Sequence, residues 1–339
     1  MSESQTVILG CSGKQLLPEE ASFYADHRPW GFILFARNIG EPDQIGDLVA
    51  ALRDSVKRPD APVFIDQEGG RVQRLRPPVA PNYPAGSAIG ALYRQDRQAG
   101  LRAAWLLARL HAFDLLRFGI NADCLPVLDV PIEGASDVIG TRAYGKDPES
   151  VTALGRAAAE GLMSGGVLPV MKHIPGHGRA FSDTHFELPT VNTPIEELRA
   201  HDFAPFKALR DLPMAMTAHV VYSAIDPDNP ATTSAKVVEE IVRGEIGFDG
   251  LLMSDDTSMK ALSGDFPEKA AVILAAGCDI VLHCNGVMEE MKGIVSKVKP
   301  LAGKSLERAN RALAAITMRD VEQEQLVRAE FATYFEAVA

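Results

Sequence analysis

Eight short apolar runs punctuate this chain, and a stretch of helical character follows each of them. They are TVILG (Thr6–Gly10), GFILFAR (Gly31–Arg37), PVFIDQEGG (Pro62–Gly70), INADCLPVLDV (Ile120–Val130), GVLPVM (Gly166–Met171), MAMTAHVVY (Met214–Tyr222), GLLMSDD (Gly250–Asp256) and DIVLHCNG (Asp279–Gly286). Runs this short and this apolar read as strands buried on both faces. Strands that alternate with helices build a parallel sheet, and eight such units predict an α/β fold, a (β/α)8 TIM barrel. The competing arrangement is a doubly wound open sheet. No GxGxxG follows any of the runs, which weighs against its nucleotide-binding form. One catalytic barrel domain over residues 1–339 is expected, with a helical tail from about residue 301.

Helix starts support the alternation. Asp147-Pro148-Glu149 sets a cap, a proline and an acid in the right order. Thr193-Pro194-Ile195-Glu196 reads as a capping box, and Pro205 should split the helical stretch that follows. Ser234 is placed to cap a helix with Val238, Ile241 and Val242 on one face. Trp30 and Trp105 read as core residues.

In a barrel the C-terminal ends of all strands share one face. The ends carry Arg37, Asp66, Asp129, Lys172-His173, His219, Asp255-Asp256 and His283. The fifth run opens into the densest cluster, KHIPGHGRAFSDTH, with Lys172, His173, His177, Asp183 and His185 on a loop marked by Pro175, Gly176 and Gly178. This cluster and the Leu251–Asp256 run are expected to face each other across one pocket. Asp255 is a candidate nucleophile, or else one of Asp255 and Asp256 caps the next helix. Asp183 and His185 are either an acid/base dyad or a surface pair. His173, His177, His185 and His219 form an alternative metal set, although the chain contains neither HxH nor HExxH. Asp66 can accept two sugar hydroxyls, or pair with Arg71 or Arg74 for about 0–1 kcal/mol if exposed. Arg142, among Gly and Thr in VIGTRAYG, fits a structural or a binding role.

Composition narrows the partners. A net charge of −11 argues against nucleic-acid and anionic-membrane surfaces. No run approaches the length of a membrane span. The four cysteines, Cys11, Cys124, Cys278 and Cys284, form no CxxC, so reduced thiols in the cytoplasm are expected. ILGC loosely resembles a lipoprotein cleavage box, but no Lys or Arg precedes it and Val7–Leu9 is too short for a leader.

The motifs IDQEGGRVQRL, VIGTRAYG, KHIPGHG with SDTH, MTAHVVY and GLLMSDDTSMKA together resemble the bacterial β-N-acetylglucosaminidases (β-hexosaminidases) of glycoside hydrolase family 3, in their single-domain, NagZ-type form. The resemblance runs from about Gly31 to Gly286. It implies retaining hydrolysis of terminal β-linked N-acetylglucosamine from peptidoglycan-derived muropeptides in cell-wall recycling. It further implies Asp255 as nucleophile, His185 as acid/base with Asp183 as its partner, and Asp66, Arg74, Arg142, Lys172 and His173 as sugar-binding residues. A histidine acid/base departs from the usual carboxylic acid. The partner implied is a saccharide, with no cofactor and no metal; oligomeric state is left open, and a monomer is compatible. Ile174 stands where Phe is expected, and Arg179 and Phe181 are expected to tune the leaving group. The loop Gly176–His185 is expected to move on Gly176 and Gly178, so that Gly178→Pro would cut turnover with the fold intact. Alternatives are an N-acetylglucosaminide phosphorylase, a metal-dependent barrel hydrolase and a non-enzymatic sugar binder.

Overall fold

A computed structural model describes residues 3–182, 184, 187–317 and 323–335 of the protein. Each of the eight apolar runs supplies one barrel strand. These are β1 (Gln5–Gly10), β2 (Pro29–Leu34), β3 (Val63–Ile65), β4 (Ala122–Asp123), β5 (Leu168–Ile174), β6 (Met214–Thr217), β7 (Leu251–Asp256) and β8 (Ile280–His283). Every strand pairs in parallel with its neighbours in sequence, and β1 closes on β8 with Val7 opposite Val281. The expected barrel is therefore the observed one.

Side-chain parity decides what each strand offers to which layer. Within β5, β6, β7 and β8, Leu168 and Val170, Met214 and Met216, Leu251 and Met253, and Ile280 and Leu282 fill the barrel interior. Met171, Ala215, Leu252 and Val281 point the other way, into the layer beneath the helices. Trp30 lies in the interior and Trp105 packs against the outer layer. Both tryptophans are packing residues, as expected. Leu301, Ala309 and Ala312 join the interior cluster, so the helix Gly303–Ala314 packs on the barrel core.

The helix starts follow their local chemistry with one exception. Asp147 caps Pro148–Ser164 by accepting from the Ser150 backbone N–H at 2.8 Å. Pro205 opens the short helix Ala204–Ala208, separate from Ile195–Ala200. Ser234 Oγ accepts from the Val237 N–H at 3.1 Å at the head of Val237–Glu245, a π-helical segment that buries Val238, Ile241 and Val242. The Thr193 capping box does not form. Ile195–Ala200 instead begins after Pro194 in extended geometry, with no side-chain cap. In the tail, the helix Glu324–Ala332 docks through Arg328, which pairs with the buried Asp114 and donates to Tyr83 Oη at 3.1 Å. Among the described residues no helix is long and apolar enough to cross a membrane.

Candidate active site

The inward parity of the strands continues past their apolar parts. Phe64 is followed by Asp66, Val170 by Lys172, and Met253 by Asp255. Each charged side chain thus emerges at the top of the barrel on the face its apolar neighbour occupies below. Together they line one pocket, with Arg74, Arg142, His173, His177, Thr184, Asp256, Phe35 and Met259 around them. The two segments expected to face each other do so.

One wall is an ion network. Lys172 Nζ donates to Asp66 Oδ1 at 2.9 Å and meets Glu68 Oε1 at 2.6 Å. Arg74 Nη2 donates to the other Asp66 oxygen at 2.9 Å. Arg142 grips Glu68 through Nε and Nη2, both at 2.8 Å. Burial alone would push both carboxyls up. Lys172 and Arg74 outweigh it at Asp66, and Arg142 and Lys172 at Glu68, so both stay below the usual carboxylate range. Arg71, the other expected partner of Asp66, turns away to Asp137 and to the carbonyls of Val138 and Ile139.

Asp129, fully buried, organises the next segment. Its Oδ2 lies 2.7 Å from His173 Nδ1, and its Oδ1 accepts the backbone N–H of His173 at 3.1 Å and of His177 at 2.7 Å. Burial is again outweighed, by His173 and His177, and Asp129 sits at about 2. His177 goes the other way: burial and the neighbouring His173 push its ring down to about 4. Its Nδ1 has no hydrogen-bond partner among the described residues.

The opposite wall resolves the two aspartates. Asp256 is spent on structure: its carboxylate accepts from Ser258 N at 3.1 Å, from Ser258 Oγ and from Cys284 N at 3.1 Å. Asp255 accepts only the N–H of Asp256 at 2.8 Å, among the described residues, and its carboxylate faces the pocket. Burial opposes its ionisation. The rings of His219 and His173, that N–H and Lys172 more than offset this and hold it below its ordinary value. His219 lies beneath, with Nδ1 2.7 Å from Thr232 Oγ1 and Nε2 3.0 Å from the Asp256 carbonyl. Both of its nitrogens are engaged within the fold, so His219 does not offer itself as a ligand, and His185, another member of the alternative metal set, lies outside the described residues. Among the described residues no group of three or more His, Cys, Asp or Glu can hold a metal ion.

These distances frame a comparison with known proteins. The glycosyl hydrolase family 3 N-terminal domain matches residues 12–317. The chain belongs to glycosyl hydrolase family 3. As a family 3 chain it is a glycoside hydrolase. It is 39% identical over 283 residues to a β-hexosaminidase of Alkalilimnicola ehrlichii, covering 82% of this chain and 80% of that one. A β-hexosaminidase of Idiomarina loihiensis matches at 34% over 326 residues, 94% of this chain and 96% of its own. Among solved structures, NagZ from Neisseria gonorrhoeae in complex with N-trifluoroacetyl-D-glucosamine superposes with a TM-score of 0.87 at 31% identity, over 98% of both chains.

For this family 3 chain the structure places Asp66, Arg74, Arg142, Lys172, His173 and Asp255 around one pocket. Asp183 and His185 lie outside the described residues. Sequence reasoning passed over Glu68. Its signal was the same parity, since Phe64, Asp66 and Glu68 are spaced by two.

The hinge expectation needs correction at the base of the loop, while Asp183 and His185 at its far end lie outside the described residues. Residues 176–180 are buried and bonded on every side. Tyr222 Oη donates to the Gly176 carbonyl, Ile132 N to that of Gly178 at 3.3 Å, and Ser136 N to that of Ala180 at 2.8 Å. Arg179 is held by Asp202 at 2.6 Å and Glu197 at 2.8 Å. It anchors the base of the loop and does not reach toward a leaving group. Phe181, 66% exposed beside Gly134, remains on the rim. Gly178 is there for close approach: a Cβ would lie 2.1 Å from the Val130 carbonyl oxygen. Gly178→Pro would therefore not spare the fold. Even Gly178→Ala is expected to destabilise by about 1–3 kcal/mol in urea unfolding, as overpacking does. Unchanged stability with reduced turnover would restore the hinge reading.

Proposed function

We propose that this glycoside hydrolase is a retaining exo-β-N-acetylglucosaminidase. Its substrates would be peptidoglycan-derived muropeptides bearing terminal β-linked N-acetylglucosamine, and its role cell-wall recycling in the cytoplasm. The observation that carries the reading is the division of labour at β7. Asp256 is tied down by the turn that follows, while Asp255 keeps an ionised, pocket-facing carboxylate opposite the Asp66–Lys172–Arg74 network.

In this reading Asp66, Arg74, Arg142, Lys172 and His173 hold the sugar. Asp66 offers acceptor lone pairs to ring hydroxyls, and Lys172, which donates one hydrogen bond to Asp66 and is ion-paired with Glu68, keeps an N–H for an oxygen of the substrate. His173, oriented by Asp129 through Nδ1, presents Nε2. Asp255 then attacks the anomeric carbon, displacing the aglycone oxygen and forming a glycosyl ester. His185, oriented by Asp183, protonates the leaving oxygen and then takes a proton from the incoming water, which hydrolyses the ester with net retention. The β-hexosaminidase names of the relatives and the N-trifluoroacetyl-D-glucosamine bound by the gonococcal structure support the sugar class. The four cysteines are free and buried, as suits a reducing compartment.

Hydrolysis of 4-nitrophenyl N-acetyl-β-D-glucosaminide beside the matching β-glucoside tests the substrate class. Turnover of the acetamido sugar alone is expected, unchanged by chelator and independent of added phosphate, with the β-anomer as first product by NMR. Activity on the glucoside alone, a chelator-sensitive rate or a phosphate requirement would contradict it.

A further inference from the structure

We propose that Glu68 is the internal counter-anion of the sugar pocket: it positions Lys172 and Arg142 and offsets their charge, so that the pocket takes neutral hydroxyls in preference to anions. This rests on the reading above that sugar binds against the Asp66–Lys172 wall. Glu68 stands behind the pocket lining with its side chain 3% exposed, while both of its cationic partners line the cavity. Both of its oxygens are in use. Oε2 accepts from Arg142 Nε at 2.8 Å, and Oε1 takes Arg142 Nη2 at 2.8 Å and Lys172 Nζ at 2.6 Å. A fork-on-carboxylate pair of this kind fixes the plane of the guanidinium as well as its place.

The charge count gives the consequence. On this wall Arg74, Arg142 and Lys172 face Asp66 and Glu68. Without Glu68, Asp66 would be the one carboxylate among the described residues paired directly with these cations, with Asp129 and Asp255 acting on Arg142 and Lys172 from farther off, and Arg142 would lose its direct carboxylate partner. A desolvated, unpaired guanidinium binds a tetrahedral dianion through parallel N–H bonds far better than it binds a hydroxyl. The same pairing leaves donors for a neutral ligand. Lys172 keeps an N–H beyond its hydrogen bond to Asp66, and Arg142, which spends Nε and one N–H of Nη2 on Glu68 and one N–H of Nη1 on the Val138 carbonyl at 3.1 Å, keeps a second N–H on each Nη. Selectivity for a neutral glycone thus comes from a residue that never touches it.

Sulfate is the probe, used on the full chain at ionic strength held constant with sodium chloride. Wild type, Glu68→Gln, Glu68→Asp and the double variant Glu68→Gln with Arg142→Gln are compared in two ways. One is competitive inhibition of nitrophenyl-glycoside hydrolysis; the other is the thermal shift caused by sulfate, which needs no turnover. Glu68→Gln is expected to bind sulfate at least about tenfold more tightly than wild type, with a raised KM for the sugar. Glu68→Asp should keep the wild-type resistance, and the double variant should lose the gained affinity. A structural role alone would raise KM but would not create an anion site. Equal sulfate response in wild type and Glu68→Gln overturns the proposal. So does competitive inhibition of the wild type itself by sulfate, which is decisive even if Glu68→Gln fails to fold. Failure of N-acetylglucosamine to bind wild type would overturn the sugar reading. Sugar binding with an unaltered anion response would overturn the role of Glu68 alone.

Discussion

Asp255→Ala is expected to reduce turnover on the order of 10⁶-fold, as loss of a covalent nucleophile does in a serine hydrolase, while the protein stays folded. The fold should tolerate it because the Asp255 carboxylate accepts one hydrogen bond, from the adjacent backbone, among the described residues. Removing it leaves no other described side chain without a hydrogen-bond partner, so the unfolding free energy should change by about 1 kcal/mol or less. Asp256→Ala is the informative contrast. That carboxylate holds Ser258 and the Cys284 N–H, so its loss should cost stability first. A small nucleophile such as azide can enter the space that Asp255→Ala opens. On an activated substrate it should restore turnover and yield the α-glycosyl azide, because it attacks from the nucleophile's side. Full activity in Asp255→Ala, or equal losses in the two variants, would remove Asp255 from the mechanism.

Lys172→Met should be the most destabilising single change in the pocket. Lys172 is buried and holds Asp66 at 2.9 Å and Glu68 at 2.6 Å. Breaking a buried ion network by removing one partner strands the others, at about 3–5 kcal/mol. Denaturant unfolding should show this loss, and hydrolysis should fall with it. The pH dependence has a definite sign. Asp66 and Glu68 titrate lower folded than unfolded, where about 3.9 and 4.3 are ordinary. Their contribution is fully present above those unfolded values and is lost as pH falls toward the folded ones. Wild type should therefore lose stability below about pH 4 more steeply than Lys172→Met, whose carboxyls no longer have that cation to hold them down. Equal acid limbs in the two proteins would show that Lys172 does not set these ionisations.

Much of this was legible before any coordinates. The eight strands announce themselves because a strand buried on both faces must be apolar along its length, although the equally apolar run Ala270–Ala276 falls largely within the helix Phe266–Ala275, so texture needs the alternation beside it. The pocket is legible for the same reason. Where a run such as Leu251–Met253 turns into Asp255, the period of two carries the carboxylate to the inner face. Glu68 obeys the same rule but is masked by its setting, since Gln67-Glu68-Gly69-Gly70 reads as a turn. Its partner Arg142 lies 74 positions away, a pairing no local pattern contains. Gly178 misled for a related reason. A glycine in a loop signals either freedom or a close neighbour, and the neighbour here, the Val130 carbonyl, sits on the preceding barrel unit. Arg179 likewise looked free to meet a leaving group because Asp202 and Glu197 are distant in sequence.

The most direct test of the central claim is to trap the intermediate. A fluorinated N-acetylglucosaminyl fluoride, which slows breakdown of a glycosyl ester more than its formation, is incubated with the wild-type protein, and intact and peptide masses are read. The expected result is one added sugar per chain, localised to Asp255 and absent from Asp255→Ala. No adduct alongside active hydrolysis, or an adduct on any other residue, would contradict Asp255 as the nucleophile of a retaining mechanism.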